Sequence, residues 1–430
     1  MRPRRHLKLI PRRLWLSRQL WRRRLVFWGG AVAIGVVSVL FALAADRSRG
    51  VFDYALSFGW WVPLVLTPFG FMLSAHLART VFPNSQGSGI QQAIAAMEID
   101  DPERQNALLS IRVAIGKIVL TVLGLACGAS IGREGPTVQV GAAIMLTAGR
   151  IGGLGRSRAL ILAGSAAGIS AAFNTPLAGI VFAIEEMARS FETRTSGLVM
   201  TAVIIAGLVS LALVGNYSYF GTASGNIVGP EGWLMVIVCG VAGGAFGALF
   251  SNLMLAGVRR ARSWIAPVPL WRGLAIAGLC GLAVALIGLA TGGVTFGTGY
   301  DLAQQAMQGT PTPWYFGPAK LVATLVSSVS GIPGGIFAPS LAVGTGFGSL
   351  IAGLFGTAVA PAALLGMAGY FAGVVQAPIT AFVIILEMTA DTKDVVPVMC
   401  TTLLGYVVAR LISRESLYHG LAKSFLGRNL

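Results

Sequence analysis

The stretch KIVLTVLGLACGASIGREGPTVQVG, residues 117–141, decides how the chain is built, because a version of it returns later. From Lys320 the chain reads KLVATLVSSVSGIPGGIFAPSLAVG, and the two align without gaps at an offset of 203. Lys117 then matches Lys320, Gly128 matches Gly331, Gly132 matches Gly335, Pro136 matches Pro339 and Gly141 matches Gly344. A second pair follows at an offset of 202: NTPLAGIVFAIEEM from Asn174 and QAPITAFVIILEMT from Gln376. Here Pro176 matches Pro378 and Glu185 matches Glu387. Two matches in the same order at nearly one offset mark a duplicated unit. Membrane transporters often carry such repeats, with the site at the repeat interface and formed by discontinuous helices.

The surroundings of the repeat read as membrane. Of 430 residues 55% are hydrophobic and only 11% charged, with a mean hydropathy of +0.75, whereas a soluble domain carries about 25% charged residues. Residues 25–45 and 234–257 are long enough to cross an apolar core about 30 Å thick. Further apolar stretches lie near 60–79, 107–128, 198–214, 273–290 and 395–412. Those near 137–148, 159–170, 176–184, 340–358 and 378–386 read as short, or as broken by Gly and Pro. Glycine makes up 57 of the 430 residues, which favours close helix packing in a membrane and permits helices that stop at mid-depth where protein or a watery cavity surrounds them. Cys127, Cys239, Cys280 and Cys400 are scattered through apolar segments and read as packing residues without disulfides.

Net charge is +16, and ten Lys/Arg fall in the first 24 residues with no acid among them. The end of the chain, RESLYHGLAKSFLGRN, is also basic. By the positive-inside rule both termini are expected in the cytoplasm, with an even number of crossings. The apolar run after the arm is longer than the 7–15 residues of a signal core, so it is expected to be a retained first helix. A nucleic-acid role for the arm is disfavoured because the arm abuts a span. The expected organisation is a basic arm over 1–24 and one membrane domain over 25–424. That domain holds repeat one at about 50–225, repeat two at about 230–412 and a C-terminal helix at about 414–426.

In both copies of the repeat a glycine-rich turn runs into proline, which favours the first helical position, so helices are expected to start near Pro136 and Pro339. Such starts leave backbone N–H groups unpaired at the positive end of the helix dipole. A third turn of this kind is NSQGSGIQQAIAAM, with Ser88 between two glycines. Three helix starts of this type make an anion cradle. A carboxylate costs roughly 2.5–3.5 kcal/mol at mid-bilayer depth, yet Glu134 sits at one of these starts. Ionised, it can occupy the anion's place; protonated, it loses its attraction for the dipoles and can swing away. Glu134 is thus a candidate gate that trades an anion for a proton, while the second copy carries Phe337 at the matching position. Lys117 and Lys320 admit two readings, added positive potential along the pathway or snorkelling to the surface.

GSGIQ (87–91), GREGP (132–136), AAFNTPLAGIVFAIEE (171–186) and GGIFAPSLAVG (334–344) together resemble the signature segments of the CLC family of chloride channels and chloride/proton antiporters. The resemblance implies an all-α polytopic membrane protein with two inverted-topology repeats of tilted and discontinuous helices. It also implies a homodimer with one anion pathway per subunit, in a bacterial inner membrane. Glu134 matches the external gating glutamate, and Glu186 matches the internal proton glutamate, which typical channels lack. The anion-binding set is expected to be Ser88, Gly89, Ile90, Arg133, Gly135, Ile336, Phe337 and Tyr418. Ser88 and Tyr418 match the two hydroxyls of the central site, and Ile336 and Phe337 match the pair whose amides coordinate the anion. Glu185 is expected to be structural, since its repeat partner Glu387 occurs in the other half; a second reading of Glu186 makes it a solvated charge near Arg189. Gln91 stands where many members have proline, whereas the retained serine favours chloride over nitrate or fluoride. No regulatory cytoplasmic domain is expected after residue 430.

The resemblance therefore leads to chloride/proton exchange, with a passive, voltage- or pH-gated chloride channel as the alternative. The substrates are chloride and protons, no cofactor is implied beyond bound chloride ions, and the surroundings are the lipid bilayer. A membrane-embedded enzyme is disfavoured. Ser165 in GSAAG sits among small residues as a nucleophile can, but the three histidines, His6, His76 and His419, give no sign of pairing with it. The chain has no HExxH, Walker loop or metal-ligand cluster.

Overall fold

A computed structural model describes residues 18–155, 157–188, 193–215, 218–227 and 229–427. The first 17 residues of the basic arm, and Arg189, lie outside the described residues. The first half runs through a long helix α1 (Arg18–Leu56), then α2 (Val62–Thr80), two short helices α3 (Ile90–Glu98) and α4 (Pro102–Leu108), and α5 (Ile111–Ala126). It continues with α6 (Glu134–Gly152), α7 (Ser157–Phe173), α8 (Pro176–Phe182), a π-helical turn (Ala183–Ala188) and α9 (Thr193–Val214). The second half runs α10 (Gly229–Ile265), α11 (Pro269–Ala290), α12 (Tyr300–Met307), α13 (Phe316–Val329) and α14 (Phe337–Phe355). It ends with α15 (Val359–Val375), α16 (Pro378–Thr389) and α17 (Val395–Ile412), and a last short helix, α18 (Leu417–Lys423), follows. Among the described residues eight helices are long and apolar enough to cross a membrane. At 39 residues α1 far exceeds a signal core.

The duplication read from sequence recurs in the helices. α6 and α14 are both 19 residues long and start 203 apart, while α7 and α15 are both 17 long and start 202 apart. The copies meet at a two-residue antiparallel bridge: Gly132 N–H donates to the Gly335 carbonyl and Gly335 N–H to the Gly132 carbonyl, each at 2.7 Å. Residues that match each other in sequence also pair with each other in space, which places a pseudo-two-fold axis at this point. A second reciprocal contact agrees. Glu185 accepts from the amides of Ile379 (3.1 Å) and Thr380, and Glu387 accepts from those of Leu177 (3.1 Å) and Ala178. Each carboxylate thus caps the proline-started helix of the other half, supplying acceptors that the first turn lacks. The structural role expected of Glu185 takes this concrete form.

Several sequence expectations need correction. α6 and α14 begin at Glu134 and Phe337 rather than at Pro136 and Pro339. Each proline falls in the third helical position, where its missing N–H is equally harmless because no helical acceptor exists there. The segments near 137–148 and 340–358, expected to be short or broken, belong to uninterrupted 19-residue helices, and α15 falls between the expected apolar stretches. Their glycines are packing surfaces. A Cβ on Gly344 would sit 2.6 Å from the Gly366 carbonyl of α15, so the two backbones touch, as small residues allow in membranes. The C-terminal helix is shorter than 414–426, spanning Leu417–Lys423.

Lys117 and Lys320 do not snorkel. Both are fully buried. The Lys117 ammonium donates to the carbonyls of Gln86 (3.3 Å) and Gly87 (2.9 Å), and that of Lys320 to Thr295 (2.8 Å) and Gly297 (2.6 Å). Each lysine ties down the turn ahead of a short helix, α3 or α12, so the pair forms a third repeat-related contact. Lys117 in this way fixes the loop that carries Ser88.

Candidate functional site

The starts of α3, α6 and α14 converge. No side chain caps any of them at Gly89, Arg133 or Ile336, so their first N–H groups have no helical acceptor and point positive dipole ends into one place. The approach of backbones is close. A Cβ on Gly135 would meet the Ser88 hydroxyl and lie 3.1 Å from the Ser88 carbonyl and 3.3 Å from the Gly335 Cα; one on Gly89 would lie 2.9 Å from the Gly135 carbonyl. Gly89 also holds φ +106, which a residue with a side chain rarely adopts. Ser88, Gly89, Ile90, Gly135, Ile336 and Phe337 are therefore neighbours in space, and all are buried.

Tyr418, on α18, closes the site from the end of the chain. It is fully buried, its ring centroid lies 5.8 Å from that of Phe337, and its hydroxyl is within electrostatic reach of Ser88, Glu134 and Glu186. Among the described residues neither the Tyr418 nor the Ser88 hydroxyl closes a well-formed hydrogen bond to protein. Buried hydroxyls ordinarily find partners, so two facing one place among helix starts form a polar pocket suited to an anion. Phe337 anchors an aromatic cluster with Phe371 at 5.0 Å and with Phe173 and Phe182 at 6.3 Å each.

Glu134 has no exposed surface. Its carboxylate faces its own amide and that of Ala338, at the start of α14, without closing a hydrogen bond of good geometry to either. An acidic side chain thus reaches across the helix starts, in the position an anion would take. The adjacent Arg133 pairs with Asp46 of α1 at 3.1 Å and lines a cavity of about 440 Å³ together with Asp46, Arg49, Tyr300 and Asp301. Arg49 and Asp301 pair across it at 2.5 Å. The cavity brings charged surface up to the residue next to Glu134.

Glu186 lies in the π-helical turn after α8 and is 2% exposed, which removes the reading of it as a solvated charge. Its Oε1 stands 3.5 Å from Nδ1 of His419, the residue after Tyr418. Tyr418 therefore stands within reach of both carboxylates.

Comparison with known proteins agrees with the geometry. A family model described as voltage gated chloride channel matches residues 70–410. An H+/Cl− exchange transporter, ClcA, from Yersinia pestis bv. Antiqua (strain Angola) is 32% identical over 435 residues, spanning 93% of this chain and 87% of its own. This chain belongs to the CLC family. A ClcA exchange transporter from Citrobacter koseri is 33% identical over 395 residues, covering 85% of this chain and 79% of the relative. The crystal structure of a slow cyanobacterial Cl−/H+ antiporter superposes with a TM-score of 0.82 at 25% identity, covering 95% of this chain and 99% of that one. That of a CLC-type fluoride/proton antiporter shares the fold, with a TM-score of 0.79 at 24% identity. The protein is a multi-pass integral membrane protein of a transporter family.

In this CLC chain the fold brings Ser88, Gly89, Ile90, Glu134, Gly135, Ile336, Phe337 and Tyr418 together. Arg133 stands slightly apart, its side chain turned toward Asp46 and the cavity. Glu186 joins through Tyr418 and His419. Sequence reasoning missed Phe173, Phe182, Phe371, Asp46 and His419. Phe173 and Phe182 flank the Asn-Thr-Pro helix break within a quoted segment, which is a usable signal. Phe371 lies in the overlooked α15 and Asp46 inside the first span, where only folding shows what they touch.

Proposed function

We propose that this CLC protein exchanges chloride for protons, with Glu134 as the gate and outer proton site and Glu186 as the inner proton relay. One observation carries the reading: a fully buried carboxylate lies among three uncapped helix starts, in competition with any anion for the same amides. Ionised Glu134 closes the path by supplying the negative charge those dipoles favour. On protonation it loses that attraction, a halide takes its place, and the proton has crossed one barrier. The Ser88 and Tyr418 hydroxyls donate to the halide from the other side, and the amides of Ile336 and Phe337 complete its shell. Glu186 accepts protons on the Tyr418 side, separated from Glu134 by the anion itself. Chloride is the bound ion, and no organic group is needed.

The names of the ClcA relatives and of the cyanobacterial structure support exchange over passive conduction. The basic arm and the basic C-terminal stretch support a cytoplasmic position for both ends, which makes the Glu186 side inner, in a bacterial plasma membrane. The family reading also carries a homodimer, checked by mass photometry of the protein in nanodiscs. The deciding experiment loads reconstituted vesicles with chloride, imposes an outward gradient and follows external pH. Chloride efflux with coupled proton uptake is expected. Chloride efflux without proton movement would reject exchange and leave a channel.

A further inference from the structure

Glu186 is expected to pass protons to the site, yet at 2% exposure it has little access of its own to water. The side chain through which a proton could reach it is therefore a separate question. His419 is the only group recorded in ion-pair range of the Glu186 carboxylate among the described residues, with Nδ1 3.5 Å from Oε1. Its side chain is 17% exposed, against 2% for that of Glu186. It sits on α18, one residue after the tyrosine that closes the anion site, and Nδ1 lies 3.4 Å from the Ser416 hydroxyl. A histidine is the side chain whose ordinary titration falls between about pH 5 and 8, and none of the anion-site contacts uses this one.

We propose that His419 is the proton-loading residue of the exchanger: it takes a proton from inner water and delivers it to Glu186. The inference rests on the reading of Glu186 as the inner relay. The step balances simply. The imidazolium Nδ1–H proton passes directly to the Glu186 carboxylate, 3.5 Å away. The imidazole left behind takes a proton from the aqueous side, and outward transport runs the same steps in reverse. No bond other than N–H and O–H forms or breaks. The other charges near α18 leave this pair alone. Glu415 and Lys423 pair with each other. α15 carries no charged residue, and the only one on α3 is Glu98 at its far end. Of the basic residues on α10, Arg262 opens onto the opposite face of α18, beside Leu421, Ser424 and Phe425.

The test compares wild type, His419→Ala and His419→Gln in vesicles, measuring chloride-driven proton uptake from pH 5 to 8, with Glu186→Gln alongside. Both His419 variants are expected to keep the wild-type chloride-to-proton ratio, because Glu186 is still present. Their exchange rate should fall roughly tenfold at the neutral end, the low side of what a positioned acid–base group contributes. Free imidazole on the Glu186 side should restore the rate of His419→Ala. Wild-type rates and pH profile in both variants overturn the assignment of His419 and leave Glu186 standing. A uniform loss at every pH that imidazole does not relieve also overturns it, by marking a packing role. Normal proton coupling in Glu186→Gln removes the relay beneath it, and that failure is distinguishable because it arises in a different variant.

Discussion

As the proposed gate, Glu134 would be both obstacle and cargo handler. It is buried at the first position of α6, facing the start of α14. Glu134→Gln keeps the shape and removes the titratable oxygen. We expect chloride flux to persist and coupled proton movement to vanish, read as chloride efflux with no pH change. Glu186→Gln should also abolish proton movement, since it blocks the chain of carriers at the other end; full coupling in either variant contradicts the assignment. Gly135 offers a steric probe that leaves every charge in place. A methyl group there meets the Ser88 hydroxyl and carbonyl, and overpacking of this kind costs about 1–3 kcal/mol. Gly135→Ala is thus expected to weaken chloride binding roughly fivefold to a hundredfold, since each 1.4 kcal/mol is about a factor of ten. Isothermal titration with chloride in detergent checks it, and wild-type affinity would show that the cradle is looser than its backbone contacts indicate.

Helices here begin where the other half of the chain lets them. α8 starts at Pro176 beneath the carboxylate of Glu387, and α16 starts at Pro378 beneath that of Glu185. Neither acid belongs to the helix it caps, so these caps tie the halves together as well as satisfying amides. Hydrogen bonds to a charged acceptor contribute about 1.5–3 kcal/mol. Glu387→Ala should lower the melting temperature in detergent while chloride selectivity is unchanged, because neither Glu387 nor the amides it caps belong to the expected anion-binding set. The double variant with Glu185→Ala should lose about as much again, since each carboxylate serves a different helix. The glycines of α6, α7, α14 and α15 act at the same level. Read along the chain they looked like breaks; in the fold they are contact surfaces between helices whose hydrogen bonds run unbroken. A glycine's helix-breaking tendency, about 1 kcal/mol relative to alanine, is outweighed where lipid and protein offer the backbone no competing partner.

Neither half of the molecule owns the site. α3 and α6 come from the first half, while α14 and Tyr418 come from the second, and they meet at the reciprocal bridge between Gly132 and Gly335. Each half alone holds at most two helix starts and either Glu134 or Tyr418. A chain divided between α9 and α10 should therefore give no chloride flux from either piece and recover flux when both are produced together. Chloride efflux from vesicles measures this, and flux from the first piece alone would break the two-half account. The duplication supplies a symmetric frame that substitution makes unequal: Glu134 stands where the other copy has Phe337, so only one copy carries an acid at that position.

Much of this could be read along the chain. Hydropathy placed seven of the eight long spans, all but α14, since a residue's transfer free energy into lipid depends on its own chemistry more than on its neighbours. The repeat, the three glycine turns and Glu134 were visible because an uncapped helix start is a local object, built from consecutive residues. Hidden from the sequence were Glu185 and Glu387 crossing to each other's helices, both buried lysines bending back onto backbone carbonyls, Asp46 meeting Arg133, and His419 lying against Glu186. Those pairings join residues from 23 to 233 positions apart. Separation along the chain says nothing about distance in space until the helices have packed, so composition and spacing could name these groups without saying which of them touch.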